Sequence, residues 1–60
     1  MKKIFDGFGI EVLTNKQKFY IRYDAGELLQ NIVTIEVSKS DSEKAQESSE
    51  EAYKVILKYA

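Results

Sequence analysis

The hydrophobic pattern of this chain changes period once, and that change limits the fold more than any other feature. Up to residue 37 apolar side chains recur at every second position; beyond residue 40 they recur every third or fourth. The first spacing is that of half-buried strands and the second that of an amphipathic helix. Phe8, Ile10 and Val12 alternate with Gly9, Glu11 and Leu13, which predicts a strand over about residues 8–14. Phe19, Ile21 and Tyr23 alternate with Lys18, Tyr20 and Arg22, a second strand over about 17–23. Val33, Ile35 and Val37 alternate with Ile32, Thr34 and Glu36 in a third, over about 28–37.

Asn15 and Lys16 suit a two-residue hairpin loop between the first two strands, because Asn tolerates positive φ. That loop sets Val12 opposite Phe19, Ile10 opposite Ile21 and Phe8 opposite Tyr23, three apolar pairs on one face. On the other face Glu11 opposes Tyr20 and Leu13 opposes Lys18. Asp24-Ala25-Gly26-Glu27 forms the second turn, with Asp24 bonding forward onto the backbone and Gly26 free to take positive φ. Aligning Val33 and Ile35 with Phe19 and Ile21 needs an odd-length loop and turns Asn31 inward. A β-bulge near Gln30 and Asn31 would resolve that conflict.

The polar run from Ser38 to Asp41 ends the third strand. Ser40 with Glu43 fits a capping box and predicts a helix over about 41–59, with Ala45, Ser49, Ala52, Val55, Ile56 and Tyr59 on one face. Acidic residues crowd its first half, and Lys54 and Lys58 sit near its end, as the helix dipole favours. Ser48 with Glu51 forms a second capping box, so two short helices broken near Ser48 are the alternative; one helix is preferred. The expectation is a single α+β domain spanning 1–60: a three-stranded antiparallel β-meander followed by one C-terminal helix packed on one sheet face, a βββα order.

Composition narrows the chemistry. Sixty residues with 43% hydrophobic and 32% charged content read as globular and not as a disordered tail. A domain this small buries only roughly 60% of the surface its unfolded chain exposes. Disulfides, metals or partners commonly widen such a margin. The sequence has no Cys and no His, which leaves self-association as the expected extra source of stability. Met1-Lys2-Lys3-Ile4-Phe5 begins like a signal peptide, but Asp6 and Gly7 interrupt it. No apolar run reaches the ~20 residues of a membrane span. A cytoplasmic protein with no membrane partner is expected.

The candidate chemistry is mostly negative. Without His or Cys a nucleophile would have to be Ser, Thr or Lys. Ser38, Ser40 and Ser42 are explained by capping, and the carboxylates are scattered, so neither an enzyme, a metal site nor a cofactor is expected. Gly7-Phe8-Gly9 starts like a nucleotide-binding fingerprint but lacks the third Gly and the helix that must follow. It reads instead as a bend leading into the first strand.

One surface stands out. Lys18, Tyr20 and Arg22 form a comb on the sheet face away from the helix, flanked by Glu11 and Leu13 on one side and Ile32, Thr34 and Glu36 on the other. Dimer burial around Leu13, Tyr20 and Ile32 is the first reading. The alternative is a nucleic-acid-binding face that uses Lys18, Tyr20 and Arg22 for stacking and phosphate contact. The net charge of −1 counts against it. A further alternative is an immunity-type protein that covers a toxin with the acidic surface of residues 41–51. A solvated helix face explains that stretch more simply.

Tyr20-Ile21-Arg22-Tyr23-Asp24-Ala25-Gly26, followed by Val37-Ser38 and a helix, resembles a loose group of short bacterial proteins of no known activity. The resemblance covers roughly residues 18–42. It implies a bacterial or phage origin and a hairpin, and it transfers no site. The expected function is a non-catalytic protein-interaction module that homodimerises through its open sheet face or through a strand edge.

Overall fold

A computed structural model describes residues 1–26 and 31–59. Among these residues the chain forms strands β1 (Lys2–Gly7), β2 (Ile10–Asn15), β3 (Lys18–Asp24) and β4 (Ile32–Val37), then helices α1 (Lys39–Lys44) and α2 (Ser49–Tyr59). The strands make one antiparallel sheet in the order β1-β2-β3-β4. The α+β class and the meander are as expected, but three strands become four and one helix becomes two.

The added strand is β1, and a bulge explains why its pattern was unreadable. Lys3 lies opposite Leu13, yet Phe5 lies opposite Val12, so one extra residue enters between them. The insertion turns Phe5 to the helical side while Lys3 stays on the other, which breaks the period of two. Phe8 is not a strand residue. It forms the β1–β2 turn with Gly9 at φ of 55° and 76°, the left-handed pair that a tight primed hairpin requires. The predicted bend at Gly7-Phe8-Gly9 is therefore a complete hairpin turn.

The β2–β3 loop is Lys16-Gln17, at φ of 51° and 68°, and not Asn15-Lys16. Asn15 instead pairs with Lys18, and the register moves with the loop. Val12 faces Ile21, Ile10 faces Tyr23 and Thr14 faces Phe19. Because this slip is an even number of residues, every side chain keeps its predicted face. Across the next ladder Ile21 faces Ile35, Phe19 faces Val37 and Tyr23 faces Val33. Asp24 bonds forward as expected: its Oδ1 accepts from the N–H of Gly26 at 2.9 Å and of Asn31 at 3.1 Å. Asn31 is exposed and does not enter the core. Glu27, the start of the predicted third strand and the bulge partner Gln30 lie outside the described residues.

The helix begins earlier than predicted, and its cap is Ser38 and not Ser40. Ser38 is extended, with φ −70° and ψ 160°, and its Oγ accepts from the Asp41 N–H at 3.1 Å. Starting there places Ser42 and Ala45, one turn apart, fully inside. Bonds from Gln46 N–H to Glu43 O and from Glu47 N–H to Lys44 O tighten and end α1. The second capping site then acts: Ser48 Oγ accepts from the Glu51 N–H at 3.1 Å and α2 begins. The alternative of two helices broken near Ser48 is the one the structure adopts.

Ile10, Val12 and Ile21 from the centre of the sheet, Val37 from β4, Ala45 from the end of α1, and Ala52 and Val55 from α2 make one buried cluster. Phe5, Phe19, Tyr23, Ile35, Ile56 and Tyr59 pack around its margin. Burial of a side chain such as Ile21, 0% exposed, stabilises the fold by about 2 kcal/mol. The helices cover one side of the sheet, and the other side is the candidate surface.

Candidate interaction face

All eight residues predicted for the open face share the side of the sheet opposite the core cluster. Glu11 and Leu13 lie on β2, Lys18, Tyr20 and Arg22 on β3, and Ile32, Thr34 and Glu36 on β4. The ladder sets Glu11 opposite Arg22 and Leu13 opposite Tyr20; on the other flank Arg22 opposes Thr34 and Tyr20 opposes Glu36. Lys18 lies opposite Asn15 and Ile32 opposite Asp24, at the two ends of the face.

The added strand changes the chemistry of this face, because it brings in Lys3 and Asp6. Lys3 Nζ donates to Asp6 Oδ2 and to Glu11 Oε2, each at 3.1 Å. Arg22 Nε donates to the other oxygen of Glu11 at 2.7 Å. The Arg22 bond, with that of Lys3 behind it, holds the Glu11 carboxyl at about 2. The same contacts raise Lys3 and Arg22 above their ordinary values. The three cations Lys3, Lys18 and Arg22 are outnumbered by the four carboxylates Asp6, Glu11, Asp24 and Glu36, and Arg22 is already committed to Glu11. Such a face has no cationic excess with which to neutralise phosphates, which weighs against the nucleic-acid alternative. Lys3 and Asp6 were missed because the bulge hid the strand that carries them.

The apolar trio also divides. Leu13, between Lys3 of β1 and Tyr20 of β3 in the ladder, is only 4% exposed. It is a small core of its own and has little surface left to offer a partner. Tyr20 is half-buried, and Ile32, on the edge strand β4, is 50% exposed.

Two further features lie elsewhere. Asp41, 7% exposed, accepts from the Tyr59 hydroxyl at 2.6 Å and from Lys58 Nζ at 2.9 Å. Tyr59 in turn accepts from the Ser38 N–H at 3.1 Å. The bond from Tyr59, then that from Lys58, holds the Asp41 carboxyl below the usual range. This cluster ties the end of α2 to the start of α1. It also draws Asp41 out of the predicted acidic surface, while Lys54 approaches Glu50 and Glu51 at 3.4 Å each. An acidic docking surface over residues 41–51 is correspondingly weakened. On the helical side an apolar groove of about 400 Å³ runs between the Phe8 turn and α2, lined by Phe8, Ile10, Tyr23, Ala52, Tyr53 and Ile56. It was not foreseen, because Phe8 was read as a strand residue.

Among the described residues no group of three or more acidic side chains is placed to hold a metal ion. No described helix is long and apolar enough to cross a membrane. In comparison with known proteins, no family model, curated sequence or solved structure matches this chain.

Proposed function

We propose that this chain is a non-catalytic protein-interaction module that self-associates on the side of its sheet turned away from the helices. The internal ion pairing of that face carries the reading. Glu11 is bonded to both Lys3 and Arg22, so covering the face with another protein strands few unpaired charges. What remains for contact is Tyr20 at the centre and the row Ile32, Thr34 and Glu36 along β4. An aromatic side chain inside a polar rim is a common composition for a protein contact.

Sedimentation equilibrium from micromolar to sub-millimolar protein tests the reading. A monomer–dimer equilibrium weakened by Tyr20→Lys supports it. A clean monomer across that range, with Tyr20→Lys leaving thermal stability unchanged, overturns it.

A further inference from the structure

The two edges of the sheet are built differently. The β1 edge carries Lys2 and Lys3 and the bulge after Lys3, the devices by which natural sheets prevent edge-to-edge pairing. The β4 edge has neither. Its sequence is Ile32-Val33-Thr34-Ile35-Glu36-Val37, regular in register and β-branched at every position but Glu36. Among the described residues nothing hydrogen-bonds to its outer side.

The hydrogen-bond phase of that edge follows from the turn before it. The Ala25 N–H donates to the Asn31 carbonyl at 2.9 Å, in continuation of the register that pairs Asp24 with Ile32. Asn31 therefore points its carbonyl toward β3. In an antiparallel ladder the direction alternates from residue to residue. Val33, Ile35 and Val37 thus bond to β3, while Ile32, Thr34 and Glu36 turn their N–H and C=O groups outward.

We infer that the partner is a second copy of this chain, joined by antiparallel pairing of β4 with β4 about a two-fold axis at Thr34. This rests on the self-association proposed above but moves its contact from the open face to the β4 edge. A two-fold at Thr34 uses all three outward residues, with Thr34 opposite its own mate and Ile32 opposite the partner's Glu36. No like charges meet, and facing threonines pair favourably. On the helical side Val33 comes opposite the partner's Ile35. Among the described residues Val33 is half-buried and stands outside the groups packed on the core, and this pairing adds cover to it. The two sheets then join into one, and their open faces become continuous.

Backbone amide exchange and sedimentation on the intact chain test the pairing. The expected result is protection of the Ile32, Thr34 and Glu36 amides that grows with protein concentration, with β1 amides unaffected. Thr34→Pro removes only an outward N–H, which an edge strand tolerates, and should leave a folded monomer by circular dichroism. Thr34→Lys sets two cations together on the axis and gives the same outcome should the proline variant fail to fold. A dimer that survives Thr34→Lys but is lost with Tyr20→Lys overturns the edge pairing and leaves the face reading standing. A dimer lost with Thr34→Lys and kept with Tyr20→Lys supports the edge and sinks contact through the face centre. A wild-type chain that is monomeric at all concentrations, with unchanged amides, overturns both.

Discussion

The two faces of this sheet are made from the same strands by opposite means. The helical side is held by apolar packing around Val12 and Ile21, both fully buried. The open side is held by a ladder of ions, Lys3–Glu11–Arg22, with Leu13 enclosed beside it. Packing is strong and indifferent to pH, whereas paired surface charges add little at neutral pH and respond to acid and salt. The core side sets how stable the domain is, and the open side sets the conditions under which its surface is presented.

The largest effect that separates the faces is expected at Ile21. Ile21→Ala should cost about 3–4 kcal/mol through lost burial and a residual cavity, which leaves a domain of this size close to unfolded in a thermal melt. Leu13→Ala sharpens the comparison. If the open face has its own small core, this substitution costs about 2–3 kcal/mol, as at other buried leucines. A loss below about 0.5 kcal/mol, the level of an ordinary surface change, would mean that Leu13 is exposed in solution.

A smaller effect is expected where the helices are attached. Ser38→Ala should cost about 1 kcal/mol as the loss of an N-cap, while Ser40→Ala should be near neutral in the same urea titration. The reverse order would move the start of α1 by two residues and unseat the Tyr59 bond to the Ser38 amide.

Glu11→Gln should have the smallest effect, present in full at neutral pH and closing on acidification, so that it shows as a difference in slope. The folded carboxyl stands at about 2 against an ordinary 4.5. Its contribution is therefore complete above 4.5 and is lost as pH falls toward 2. Melts of the wild type between pH 5 and 2 should fall more steeply than those of Glu11→Gln. A residual slope comes from Asp24, lowered by the amides of Asn31 and Gly26, and from Asp41, lowered by Tyr59 and Lys58. Equal slopes would show that the Glu11 ion pairs do not form in solution.

What was legible in the sequence was whatever repeats. Ile10, Val12, Phe19, Ile21, Val33, Ile35 and Val37 announce their common face by a period of two, and the eight candidate surface residues follow as its complement. Ala52, Val55, Ile56 and Tyr59 announce α2 in the same way. The failures fall where the period is interrupted or where two signals compete. Ile4 adds one residue to β1 and scrambles its alternation, which hid Lys3 and Asp6 and with them the ion pairing of the open face. Left-handed conformations fell on Phe8, Lys16 and Gln17, residue types that give no warning of a turn. Three serines offered caps within five residues, and local chemistry does not rank them.

By itself the sequence determined the α+β class, the antiparallel meander and the side of the sheet to which each central residue belongs. Those depend on periodicity, which survives a register slip of two. The tertiary structure decided the register, the fourth strand, the cap and the break between the helices. Each of these is a choice among locally similar options, settled by distant partners: Val12 above Phe5, the buried pair Ser42 and Ala45, and Tyr59 reaching back from the last turn of α2 to Ser38 and Asp41.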